Sequence, residues 1–199
     1  MSIILKGSSS GDVTLTVPAA AGSNTITIPA TTGTMLDTNS VIASSKLPTG
    51  SVVQVVSAIS GTPGSTTGAF PYDSTIPQNS EGTEFATIAI TAAHASNKFH
   101  VSVFAQVSSN GNTGRVIVPL FIDSVANALA CGATQVSNSG GMITIAFDYI
   151  AAAGDTSEHT FKMRYGKGDA STAYVNRTGS DLDLGNKISS GMIIREIAG

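Results

Sequence analysis

The chain has a single cysteine, Cys131, and no tryptophan among its 199 residues. One thiol cannot close an internal disulfide, so the fold has to be held by packing. The expected place for such a cysteine is as a small buried hydrophobe. Charge is scarce too: Asp, Glu, Lys and Arg make up 12% of residues, about half the usual share for a soluble domain. A monomer normally shows more charge to water. The shortage implies either that much surface faces another protein or that Ser, Thr and Asn keep the surface wet. Net charge is −3 and there is no basic stripe, which argues against a nucleic-acid binder working by counterion release. No stretch approaches the roughly 20 apolar residues that span a bilayer, so no membrane insertion is expected. The opening MSIILKGSSSG has no basic segment followed by an apolar run, so it does not read as a secretory signal. Glu, Lys, Gln and Leu are few, which removes the usual helix formers.

What remains is apolar residues at 41%, with 21 glycines and recurrent Val, Ile and Thr. That mixture favours strands over helices. The first segment, 1–48, has only four charged residues, Lys6, Asp12, Asp37 and Lys46. It writes one short pattern twice, LTVPAAAG at 15–22 and ITIPATTG at 26–33. Each copy alternates an apolar residue with Thr, the signature of a strand with one dry face. Pro18 and Pro29 end the two runs, because proline has no N–H for a ladder. Strands are expected at 13–17 and 25–28. A two-stranded ribbon is marginal alone in water, so this segment needs another copy of itself or a docking surface. Val13, Leu15, Val17, Ile26 and Ile28 would form its dry face.

From residue 49 onward the pattern changes to about eight longer runs, expected as strands at 51–59, 85–91, 99–107, 115–122, 142–149, 159–165, 172–175 and 192–197. Phe99, Val101, Val103, Ala105 and Val107 share one parity, as do Ile143, Ile145, Phe147 and Tyr149. RVIVPLFI, at 115–122, is apolar at both parities, as for a strand buried on two sides. Clusters of Gly, Ser and Asn separate the runs. Many short strands with turn signals between them predict an antiparallel, jelly-roll-like sandwich over 49–199. DSVANALACGATQ, at 123–135, fits either a short helix or a loop with a strand. Residues 61–84 hold three prolines and read as a long loop, either functional or packed on a neighbour.

Candidate chemistry is thin. GSSSG at 7–11 matches the spacing of a nucleophile elbow, but a strand ending in proline follows it where that motif needs a helix, so it reads as a polar turn. His94, His100 and His159 show no metal-ligand spacing. DLDLGN at 181–186 is half of a calcium loop without its closing Glu. Asn176-Arg177-Thr178 is a glycosylation sequon whose use would require a secretory route. No cofactor, metal site or catalytic residue is expected, and the chain does not read as an enzyme.

GDVTLTVPAAAGSNTITIPATTGTML resembles the N-terminal repeat of tail-fibre and related virion proteins of tailed bacteriophages, most of all those of cyanobacterial and marine phages. LPTGSVVQVVSA at 47–58 resembles the junction that follows in that family. EGTEFATIAITAAHASNKFHVSVFAQV at 81–107 resembles the start of its C-terminal β domain, and GMIIREI at 191–197 its closing strand. The resemblance implies a non-enzymatic, homotrimeric component on the outside of the virion, assembled in the host cytoplasm. Its partners would be its own copies and other virion proteins of the capsid or tail. The strands of 1–48 would trimerise it or dock it, with the sandwich displayed outward. A capsid decoration (cement) protein, a head fibre and a short tail fibre all fit. The other reading is a receptor-binding module gripping host-surface glycans, with Phe70, Tyr72, Tyr174, Arg177 and Asp181 as contact candidates.

Overall fold

The computed structural model describes residues 3–6, 9–15, 46–110, 115–136, 141–169, 171–179 and 184–199. The chain divides into two units, Met1–Val41 and Ile42–Gly199.

In the first unit, β1 (Ile3–Lys6) and β2 (Asp12–Leu15) form an antiparallel hairpin, with Ile3 opposite Leu15 and Lys6 opposite Asp12. GSSSG lies between them, and Gly11 adopts φ 81°, a left-handed conformation that glycine reaches at no steric cost. The described partner of the strand expected at 13–17 is therefore Ile3–Lys6, which its composition did not single out. Val17 and the second copy with Ile26 and Ile28 lie outside the described residues.

Among its described residues the second unit holds ten strands: β3 (Val52–Ser60), β4 (Gly64–Thr66), β5 (Thr83–Thr91), β6 (Lys98–Ser109), β7 (Arg115–Ile122), β8 (Ala130–Gln135), β9 (Ile143–Ala152), β10 (Glu158–Lys167), β11 (Ala173–Val175) and β12 (Ser190–Ile197). One sheet runs β5-β10-β7-β8. The other runs β3-β12-β6-β11-β4, with β9 paired to the free side of β6. Setting aside the short β4 and β11, the remaining strands form two four-stranded sheets, β3-β12-β6-β9 and β5-β10-β7-β8, whose ladders are all antiparallel. Successive long strands alternate between the sheets, except that β7 and β8 form a hairpin within one of them, which is the order of a jelly roll. The all-β sandwich predicted from the sequence is the observed architecture.

Side-chain alternation builds the core. Phe99, Val101, Val103, Ala105 and Val107 of β6 are all buried and face Phe161, Met163 and Tyr165 of β10 and Val116, Val118 and Leu120 of β7. Phe99 meets Phe161 edge-on at 5.7 Å between ring centroids. The second parity of β7 is buried as well, because residues 67–82 cross the outer face of its sheet. Phe70, 1% exposed, packs there on Ile117 and Phe121. Backbone bonds fasten this strap: Phe70 N–H to Lys167 O at 3.0 Å, Asn79 N–H to Ala126 O at 2.8 Å and Ala128 N–H to Pro77 O at 2.9 Å. Two glycines make the slot for the ring. A Cβ on Gly82 (φ 60°) would lie 2.2 Å from Phe70 Cε2, and one on Gly166 would lie 2.8 Å from Phe70 Cδ2.

Pro119 sits within β7, a strand with neighbours on both sides. Its ladder to β10 pairs Leu120 with Met163 and resumes at Ile117 with Gly166, so the residue without an N–H stands in the gap. The segment 123–135 resolves as a turn followed by β8, without a helix. Cys131 is exposed, which corrects the expectation of a buried thiol. In β8 the inward position next to it belongs to Gly132, whose missing Cβ leaves room for Ile145 of β9; the odd-numbered residues, Cys131 among them, point away from the core.

Candidate functional site

The loop residues proposed for receptor contact divide sharply. Phe70 is not available to a ligand as the protein stands, since it plugs the strap onto β7. Tyr72, two residues on, is 57% exposed. The Arg115 guanidinium at the start of β7 lies 4.9 Å from its ring centroid, a cation–π stack. Tyr72, Arg115, Gln135 and Gly168 line a groove of about 350 Å³. Gly168 belongs there physically, because a Cβ would stand 3.0 Å from Tyr72 Cδ2.

Preceding Gly168 in the chain is Lys167, 1% exposed, whose ammonium bonds Ser171 Oγ and sits 3.4 Å from Asp169 Oδ1. Ser171, by hydroxyl and backbone N–H, holds the Asp169 carboxyl below its ordinary range, and the Lys167 charge adds to this.

Tyr174 of β11 lies in the other sheet, and Arg177 stacks over its ring at 5.3 Å. The Arg177 carbonyl accepts from Ser108 Oγ at 2.6 Å. Asp181 is outside the described residues. Of the expected contact residues, Tyr72 and the Tyr174–Arg177 pair thus lie in two separate arginine–tyrosine stacks, one at each sheet, the first completed by Arg115, which was not among them. Next to the second stack, Asn176 of the sequon is fully buried at φ 59°. Its Nδ2 donates to Ser60 O at 2.7 Å and Thr62 O at 3.1 Å, and its Oδ1 accepts from Ser190 Oγ at 2.6 Å. It is a clamp between β3, β11 and β12 and offers no accessible amide for a glycan.

The histidines are dispersed. His94 bonds Ser96 within its own turn, and His100 Nε2 lies 3.2 Å from Asp148 Oδ1. His159 is the most enclosed. Its Nδ1 is 2.9 Å from Asp123 Oδ2, while its buried Nε2 is 3.4 Å from Asp155 Oδ1 without the alignment of a hydrogen bond. The bond to Asp123 raises the imidazole pKa above its ordinary value, opposed in part by burial and supported by the charges of Asp123 and Asp155. Asp123 itself is a fastener at φ 52°: its Oδ1 accepts the Thr160 N–H at 2.7 Å. A neighbouring cleft of about 390 Å³ carries Glu84, Asp123, Lys162 and Arg164. Arg164 is spent on structure, donating to Glu81 O at 2.7 Å and Gly82 O at 2.9 Å. Among the described residues no cluster of three or more His, Cys, Asp or Glu could hold a metal ion.

Sequence reasoning missed one buried charge. Glu196 in β12 is fully enclosed, and its carboxylate accepts from Ala93 N–H at 2.7 Å, Asn97 Nδ2 at 2.6 Å and Gln54 Nε2 at 2.5 Å. The only signal in the sequence was its parity with Met192 and Ile194, which puts a carboxylate on the inward side of GMIIREI.

No protein-family model matches the sequence, and no curated protein matches it. Among solved structures, the Eiger TNF protein of S. frugiperda aligns at TM-score 0.42 and 7% identity, over 72% of this chain and 93% of that one. The infectious bursal disease virus VP2 subviral particle aligns at TM-score 0.36 and 13% identity, over 86% of this chain and 38% of that one. An insecticidal delta-endotoxin, Cry8Ea1 of Bacillus thuringiensis, aligns at TM-score 0.36 and 9% identity, over 68% of this chain and 19% of that one. Similarity of this size assigns no activity, substrate or partner.

Proposed function

We propose that the protein is a non-enzymatic structural component of a bacteriophage virion. In this reading it is a homotrimeric appendage on the particle exterior, either a capsid decoration or a short fibre, docked through residues 1–48. The reading rests on one combination: the threonine–apolar repeat of the fibre-like sequences in one unit, and a jelly-roll sandwich in the other. The sandwich fits a scaffold role, since Asp123, Arg164, Asn176 and Glu196 are spent on fastening strands and straps. Imaging intact virions beside virions lacking the protein tests this directly. Missing density on the capsid, with fragile heads, identifies a decoration protein. Missing density at the tail, with lost adsorption, identifies a fibre. A protein absent from purified particles ends the reading.

The Tyr72–Arg115–Gln135 groove favours a second reading, recognition of a host-surface glycan. An aromatic face beside a guanidinium and an amide suits a sugar ring that carries an acid group. A glycan array probed with the full chain checks it, and loss of any signal in Tyr72→Ala would place the contact in this groove. Silence across host polysaccharides removes this reading and leaves the first intact.

A further inference from the structure

The two sheets treat their outer faces differently. On β5-β10-β7-β8 the chain lays its own strap, sealed by Phe70. The outer face of β3-β12-β6-β9 has no such cover among the described residues, yet its residues are not those of a wetted face. Register aligns them in rows. Val52 meets Ile197, Lys98 and Ala152; Val55 meets Arg195, His100 and Ile150; Ser57 meets Ile193, Ser102 and Asp148; Ile59 meets Gly191, Phe104 and Ala146. An antiparallel sheet with one side in water should alternate apolar-in with polar-out. Here β3 places Val52, Val55 and Ile59, and β12 places Ile193 and Ile197, on the outward side. Val52, Val55, Ile59 and Ile150 are each at least half exposed, at 51%, 55%, 50% and 62%. At one end the face continues into a groove of about 520 Å³ that includes Phe104, Met142, Leu184 and Ile188.

We infer that this face is where copies of the chain meet, a proposal that rests on the homo-oligomeric reading above. Its charges favour a second copy as the occupant. Lys98, Arg195 and His100 lie in two adjacent rows and Asp148 in the next. Asp148 is held ionised below its usual range, first by the Ser102 hydroxyl and then by His100 and Arg195. In a homotrimer the three copies of this face turn towards the threefold axis, so the Lys98, Arg195 and His100 rows of one copy can stand against Asp148 of the next, within a shared apolar field. The dimensions also suit. Four strands about 4.8 Å apart and a nine-residue β3 rising about 3.4 Å per residue give roughly 20 by 30 Å. With side-chain relief, that approaches the ~800 Å² each partner gives to a standard interface.

The test uses the full chain with Cys131→Ser, carrying Ser57→Cys midway along β3 on the proposed face or Ser124→Cys on an exposed turn. Oligomeric state is read by sedimentation, and accessibility by maleimide labelling. The face proposal expects a multimer in which the thiol at position 57 reacts roughly tenfold or more slowly than that at 124, as an interface closed about 90% of the time requires. Adding Val55→Glu and Ile150→Glu should restore fast labelling at 57 while the thermal transition persists. Val125→Glu, an equally exposed apolar site elsewhere, should leave labelling unchanged. A multimer whose position 57 labels as fast as 124 overturns the face and leaves the oligomeric reading standing. A chain that sediments as a monomer at every concentration overturns both.

Discussion

Replacing Glu196 is the sharpest probe of how the sandwich is held together. The carboxylate is fully buried, with no basic residue among its hydrogen-bond partners. It joins β12 to β3, through Gln54, and to both ends of the β5–β6 turn, through Ala93 and Asn97. Asn97 passes the connection on, since its Oδ1 accepts the Gly199 N–H at 3.1 Å and its carbonyl accepts the Ala153 N–H at 2.9 Å. Glu196→Leu would fill the volume and strand two donors, Ala93 N–H and Asn97 Nδ2. Gln54 lies nearer water and keeps Thr91 O at 2.7 Å. Each stranded buried donor costs about 1–3 kcal/mol, so the variant should lose about 2–6 kcal/mol. For a chain of this size that is a fall in Tm of roughly 4–24 °C. Glu196→Gln should be mild, because one amide oxygen can still accept from both Ala93 and Asn97 while Gln54 turns its own amide. Calorimetry gives the Tm of each variant. Hydrogen exchange gives the locality, with Ala93 and Gly199 amides losing protection in the leucine variant. A leucine variant melting within about 2 °C of the parent, with both amides protected, would refute this account.

Other predictions concern the strap, the histidine and the clamp. Phe70→Ala should cost about 3–5 kcal/mol in denaturant unfolding, the usual price of emptying a buried phenyl site, and should make 71–76 the first point of proteolytic cleavage; an unchanged cleavage pattern would mean the strap is held without the ring. Gly82→Ala should destabilise comparably, since it strains φ 60° and drives a methyl into Phe70. His159 carries a raised pKa, so its contribution is complete below the unfolded value near 6.5 and is lost as pH rises through the folded value. Tm should therefore fall between pH 6 and pH 8, and His159→Gln should flatten that slope; an unaltered slope would assign it to another group. Asn176→Ala removes three hydrogen bonds and an Asn suited to φ 59°, and urea unfolding should show a loss of about 2–4 kcal/mol.

How much was legible before folding depended on whether a residue's role follows from its neighbours in the chain. Alternation at 99–107 and 143–149 fixed the inward faces of β6 and β9, because a strand's side chains change sides at every residue whatever it pairs with. The doubly apolar RVIVPLFI announced a strand covered on both sides, and the sandwich followed from many such strands between turn signals. Composition alone also told of a chain short of charge. The sequence could not tell what covers the second side of β7, because Phe70 reaches it from 45 residues upstream through slots cut by Gly82 and Gly166. Cys131 turned outward because its neighbour Gly132 was the residue Ile145 could pack on. Glu196, Asn176 and Asp123 look from the chain like ordinary loop or strand-end polars. Only tertiary structure, by closing other strands' N–H and C=O groups around them, made fasteners of them, since a buried donor or acceptor takes its partner from whatever the fold brings near.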